Sequence, residues 1–179
     1  MDRSVLYKKM QRNEREKKVF NFHFNTFTLD LNEELTGIYG GTLQSQTEFV
    51  AAAIRHILSF YPSGEQIFIV GHSMGGIVAR SVMAQKLIEP GRVAFLVTLG
   101  SPHQAPVIPD PSLVNFTKHT RKEEVVDKVD CVSVSGGLRD IQVRPALSHT
   151  GHCLNVRGEA VPLTWTSQGQ GQHFCLRNN

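Results

Sequence analysis

An apolar run, Ile67-Phe68-Ile69-Val70, breaks into Gly71-His72-Ser73-Met74-Gly75 and then into an apolar helix-like stretch that reaches Leu87. Gly-x-Ser-x-Gly directly after a strand and directly before a helix is the pattern of a nucleophile elbow. The spacing has a steric reason. The serine must sit on a turn tight enough to lift its hydroxyl clear of the sheet, and side chains at the flanking glycines would collide with the neighbouring strand or helix. The same turn leaves the backbone N–H of Met74 at a helix N-terminus, where it can donate to a developing oxyanion. Ser73 is therefore the candidate nucleophile and Met74 the candidate oxyanion donor.

A chain of 179 residues with 40% hydrophobic and 20% charged residues is sized for one globular core. Its formal charge of +3 is too small to imply nucleic acid, and the lysines and arginines at positions 8–18 read as a solvated helix face. No stretch approaches the ~20 apolar residues needed to cross a bilayer, and residues 1–18 lack the apolar centre of a signal peptide. The three cysteines, Cys131, Cys153 and Cys175, show no metal-ligand spacing, and an odd count neither demands nor excludes one disulfide. The chemistry read here calls on no metal and no cofactor.

The order of elements is that of an alternating α/β chain. Residues 3–18 read as a charged helix and 19–29 as a strand. Residues 43–60 form a helix with Phe49, Ala52, Ala53, Ile57 and Phe60 at helical spacing. The elbow strand spans 66–70 and its helix 76–86. Residues 93–99 form a near-continuous apolar run, the mark of a buried parallel strand. A loop over 101–111 leads into a polar stretch ending at Lys128, of which 111–120 is expected to be surface loop. Residues 129–134 form a further strand and 154–163 a last β segment. This pattern predicts a parallel sheet with helices on both faces.

With a serine nucleophile, the acid and then the histidine should follow beyond the ends of later strands. Asp140, in Gly136-Gly137-Leu138-Arg139-Asp140 after the 129–134 strand, is the candidate acid; Asp110, Asp127 and Asp130 precede or miss a strand end. Only His173 comes after the last β segment. Its surroundings, Gln168-Gly169-Gln170-Gly171-Gln172, are polar and close to the C-terminus, a poor support for an imidazole. His149 and His152 are fallbacks, His72 points away from the elbow, and His103 is placed to line the pocket.

Several stretches together resemble the GPI inositol-deacylases of the endoplasmic reticulum. They are residues 27–46 with Asp30-Leu31-Asn32-Glu33-Glu34 and Tyr39-Gly40-Gly41-Thr42-Leu43-Gln44, and Gly71-His72-Ser73-Met74-Gly75-Gly76 with Val78-Ala79-Arg80. Ser101-Pro102-His103 with Ala105-Pro106-Val107, and Gly136-Gly137 with Arg139-Asp140 and Val143-Arg144, complete the set. The resemblance implies an α/β-hydrolase domain on the luminal side of the endoplasmic reticulum membrane. Such an enzyme removes the acyl chain from the inositol of GPI anchors, and so assists export of GPI-anchored proteins. Ser73 maps onto the family's nucleophile and Asp140 onto the position read here as its acid.

Two departures from that pattern carry consequences. The family's glycine-rich segment after an early strand, which completes the oxyanion hole, lies upstream of Met1, so the resemblance implies an α/β-hydrolase fold without its first strands. Downstream the family reads Thr-Asp-His, whereas here Trp165-Thr166-Ser167 runs into Gln168-Gly169-Gln170, and residues 168–179 form a divergent tail. His173 is then a substitute base. One lost oxyanion donor costs about 2.7–4 kcal/mol of transition-state stabilisation, so slow or absent turnover is expected of this chain by itself. A missing strand partner would also leave residues 20–29 as an unpaired sheet edge. Three readings follow: a GPI inositol-deacylase or part of one, a general lipase or esterase of the same fold, or an inactive truncated form that only binds. Asn115-Phe116-Thr117 is a glycosylation acceptor if the domain is luminal.

Overall fold

The computed structural model describes residues 25–31, 39–89, 91–121, 128–137, 140–157 and the backbone of 174–178. In chain order these give β1 (Phe27–Leu29), α1 (Gly40–Leu58), β2 (Ile67–His72), α2 (Met74–Ala84) and β3 (Val93–Leu99). They continue with α3 (Pro111–Arg121), β4 (Asp130–Ser135), α4 (Pro145–Ser148), β5 (Leu154–Arg157) and β6 (Phe174–Asn178). The six strands make one sheet in the order β1-β6-β2-β3-β4-β5. Strands β2 to β5 are mutually parallel, whereas β6 runs antiparallel to both of its neighbours. This is the mostly parallel sheet of an α/β-hydrolase fold. The charged helix expected over 3–18 and the part of the last β segment beyond Arg157 lie outside the described residues.

Alternation along the strands sets where the core lies. Ile67 and Ile69 of β2, Leu96 and Thr98 of β3, and Cys131 and Ser133 of β4 are buried on one face. Phe68, Val70, Phe95, Val97, Val132 and Val134, on the other face, are half-buried. Helices α1, α2 and α3 pack on one another over the first face. The second helical layer expected from the order of elements is not found among the described residues. Helix α2 is the centre of this core, with every residue from Met74 to Ala84 buried.

Two helices differ from their sequence pattern. Helix α1 buries Leu43, Val50, Ala51, Ile54 and Ile57, while Phe49 and Phe60 are exposed. The aliphatic stripe wins over the aromatic one because its side chains interdigitate with the close-packed, small-residue surface of α2. Residues 111–121 form helix α3 instead of the expected surface loop. Its inward positions are Leu113, Thr117 and Thr120, so the buried stripe is mostly threonine and its apolar signal is weak. Its start is set by Asp110, whose carboxylate accepts from the Ser112 and Leu113 N–H groups at 2.9 and 3.2 Å and from the Ser112 hydroxyl. The Ser112 hydroxyl and the Leu113 N–H hold the Asp110 carboxyl below its usual range.

The tail also departs from expectation. Strand β6 fills the place between β1 and β2, pairing Leu29 with Phe174 on one side and Gly71 with Phe174 on the other. Helix α1 therefore connects two parallel strands with β6 between them; β1 pairs with β6 on one side and, as the first strand in the order, has no partner on the other among the described residues.

Candidate active site

Parallel strands β2, β3 and β4 end at one edge of the sheet, where α/β folds place their chemistry. At the end of β2, Ser73 adopts φ 53° and ψ −126°, a left-handed conformation that costs a non-glycine residue on the order of 1–3 kcal/mol. It is tolerated because both sides of the turn are fixed. The Ser73 N–H donates to the Leu99 carbonyl at 2.8 Å, and the Gly76 N–H donates to the Ser73 carbonyl at 3.1 Å. A Cβ at Gly71 would lie 2.6 Å from the Gly76 Cα, and one at Gly76 would lie 2.8 Å from the Ser101 Cβ. Gly71 is thus required by sterics, as the motif suggested. The second tight approach belongs to Gly76, one residue beyond the motif, and the Gly75-Gly76 pair was its only trace in the sequence.

Ser73 stands at the N-cap of α2 without capping it, so its half-buried hydroxyl is not committed to the helix. Met74 is the first helical residue, and an N–H at that position has no partner within the helix. The positive end of the helix dipole also lies here. A negative charge developing beside Ser73 is favoured on both counts.

Asp140 sits over the ends of β3 and β4. Its Oδ2 would be 3.4 Å from a Cβ at Gly100 and 2.5 Å from one at Gly136, so two glycines make its seat. Its Oδ1 accepts from the N–H groups of Gln142 at 3.1 Å and Val143 at 2.8 Å, which closes the turn and fixes the carboxylate. Gly100 directly follows Leu99, the residue that binds the Ser73 N–H, and its own N–H donates to the Val134 carbonyl at 2.7 Å. The serine and the aspartate are therefore brought to the same strand ends. His173 lies outside the described residues. The next residue, Phe174, pairs with Gly71, two residues before Ser73.

The remaining histidines divide by environment. His103 does not line an open pocket; it is 2% exposed, with Nε2 2.9 Å from the Thr98 hydroxyl. Burial pushes its pKa down to about 3, helped by the Arg80 guanidinium and His152, so the ring is neutral. A residue drawn inward between α2 and the sheet was not recognisable from a histidine directly after a Ser-Pro step. His72, His149 and His152 are exposed. Cys131 and Cys153 are joined in a disulfide with Cα atoms 4.8 Å apart. The two sulfurs and a ring nitrogen of His152 lie within 4.8 Å of one another, but a disulfide sulfur is not the thiolate that a metal requires. A cleft between α1, α2 and α3, lined by Gln44, Ser81, Gln85 and Phe116, opens toward the far end of α2 from Ser73.

The sequence matches the PGAP1-like alpha/beta domain over residues 2–171. The chain belongs to that family. It is 40% identical over 163 residues to the GPI inositol-deacylase of Mus musculus, covering 83% of this chain and 18% of that protein. Identity is 38% over 163 residues with the GPI inositol-deacylase of Xenopus laevis, covering 82% of this chain and 18% of the relative. It is 34% over 183 residues with that of Schizosaccharomyces pombe, covering 83% and 16%. The chain thus spans less than a fifth of the length of these PGAP1-like relatives. Among the described residues, no helix is long and apolar enough to cross a membrane.

Proposed function

We propose that this chain is the ester-cleaving α/β portion of a GPI inositol-deacylase and that Ser73 is its nucleophile. The observation that carries this reading is the strained Ser73 at the N-terminus of α2, in a chain whose relatives are named for that deacylation. Ser73 Oγ attacks the carbonyl carbon of the inositol-linked acyl ester and gives its proton to a base. The oxyanion forms against the Met74 N–H and the α2 dipole. Collapse of this intermediate releases the inositol hydroxyl, and water then hydrolyses the acyl-serine ester to free the fatty acid.

Asp140 is the acceptor that orients and stabilises the imidazolium. His173 is the proposed base, supported by the backbone pairing of its neighbour Phe174 with Gly71. A luminal setting at the endoplasmic reticulum membrane is proposed with it. The disulfide between Cys131 and Cys153 favours an oxidising compartment, and Asn115 is exposed on α3 where glycosylation can reach it. GPI lipid and GPI-anchored proteins are the proposed substrates, in the service of their export.

The test is acyl release from a GPI substrate by this sequence in a full-length context and by its variants. Ser73→Ala should abolish release, and Asp140→Asn should lower it on the order of 10³–10⁴-fold. His173→Ala should do the same if the tail supplies the base. Undiminished release by Ser73→Ala would overturn the reading.

A further inference from the structure

The edge of the sheet that carries Ser73 holds exposed aliphatic side chains. Strand β3 runs up to this edge, α3 descends from it and β4 runs up again in parallel, so the loop 100–110 lies there. The turn after β4 lies there too. These segments hold three exposed aliphatic side chains, Val107 at 47%, Ile108 at 45% and Ile141 at 91%. Tyr39, 61% exposed, precedes α1 at the same edge, where the Gly40 N–H donates to the Ser112 hydroxyl at 2.9 Å.

None of the three aliphatic residues is exposed through slack in the chain. Ile141 is the outer residue of the turn that Asp140 Oδ1 closes by accepting from Gln142 and Val143, and Val143 is buried as its anchor. Val107 and Ile108 precede the Asp110 cap, whose N–H donates to the Ile108 carbonyl at 2.9 Å. The two segments are tied together. The Gln104 N–H donates to the Leu147 carbonyl at 2.9 Å, and the Gln104 side-chain amide donates to the His149 carbonyl at 2.6 Å. Fixed aliphatic side chains held in water beside a reactive serine signal a ligand with an apolar part.

We propose that Ile141, Val107 and Ile108 form the rim that binds the fatty acyl chain of the ester cleaved at Ser73. The inference rests on the reading of Ser73 as nucleophile and adds the residues that select its substrate. A carbonyl carbon within about 3.5 Å of Ser73 Oγ leaves its alkyl chain to run out over this edge. The three aliphatic side chains offer no hydrogen bond to a sugar hydroxyl, whereas each methylene they remove from water is worth about fourfold in binding. Ile141 is the principal contact because it follows the proposed acid directly.

The test measures labelling rates of Ser73, by intact-protein mass spectrometry, with methyl and dodecyl fluorophosphonates. The dodecyl probe should react at least tenfold faster than the methyl probe. Ile141→Ser should cut that ratio about fivefold, and Ile141→Leu should restore it. Leu154→Ser, at an exposed site on β5 away from this edge, should leave both rates unchanged. Ile141 is too exposed for its loss to unfold the protein, and a thermal melt of each variant verifies this. Equal rates for the two probes would overturn the rim while leaving the nucleophile standing. Labelling of Ser73 by neither probe would overturn both. A concentration-dependent dimer dissolved by Ile141→Ser, with rates independent of chain length, would make this edge a self-association surface and overturn the assignment.

Discussion

The two halves of the candidate site are fixed by different means. The turn at Ser73 is shaped by contacts close in sequence, Gly71 against Gly76 and the Gly76 N–H on the Ser73 carbonyl, and is joined to β3 by the Ser73 N–H on the Leu99 carbonyl. The arm that carries Asp140 closes its own turn locally, through the Gln142 and Val143 N–H groups, but is tied to the sheet by contacts farther apart in sequence. The Cys131–Cys153 disulfide spans 22 residues, and the Ser133 hydroxyl donates to the Ser148 carbonyl at 2.6 Å across the same fold of chain. The nucleophile turn follows from local sterics once the helix and strand exist. The acid depends on cross-links that have meaning only after β4 and β5 have paired. Strain is concentrated in the first half, and covalent constraint in the second.

Breaking the disulfide should separate the halves most clearly. Closing a loop of this length restricts the unfolded chain by about 3 kcal/mol, so Cys153→Ala should lose roughly that much in urea denaturation. The same variant should keep labelling of Ser73, because the elbow makes no contact that depends on the bridge. Loss of both together would show that the halves are one cooperative unit. Gly71→Ala attacks the other half. Its methyl would meet the Gly76 backbone at 2.6–2.7 Å, so a loss of about 2–3 kcal/mol is expected, and with it the reactivity of Ser73. A near-neutral result would mean that the helix can slide away from the strand.

His103 links the halves, since it follows the strand that binds Ser73 and its pKa is lowered in part by His152 of the arm. The folded protein holds it neutral down to about pH 3, whereas the unfolded chain takes up the proton near pH 6.5. Between those values the unfolded state binds more protons, so stability falls as the pH falls. The slope is on the order of 1 kcal/mol per pH unit and levels off below the folded pKa. Denaturation midpoints at pH 7, 6 and 5 should show this, and His103→Gln should flatten the dependence. The smallest effect is a gain. Ser73→Gly removes the left-handed strain and should stabilise the protein by about 1 kcal/mol while abolishing labelling. A loss of stability instead would mean that the serine side chain contributes packing as well as chemistry.

Much of the parallel sheet was legible because its signals are local. The run 93–99, the elbow strand and the apolar helix behind it each carry their pattern within about ten residues, and their order implies parallel pairing. Helix α3 was missed because Thr117 and Thr120 carry its buried face, and threonine at helical spacing does not register as apolar. The rotation of α1 was missed because both of its faces hold apolar side chains, so the choice rested on which one fits α2.

The sequence by itself determined the strand–turn–helix at Ser73, since glycines at fixed offsets leave little other room for the chain, and the family signature that runs through it. Only the tertiary structure decided that β6 enters between β1 and β2, that Cys131 bonds Cys153, and that His103 turns inward to Thr98. It also decided that Asp140 rests on Gly100 and Gly136. Each of these joins residues whose separation or orientation no short pattern encodes. Strand pairing and side-chain burial are settled by which surfaces remain to be covered once the core has formed.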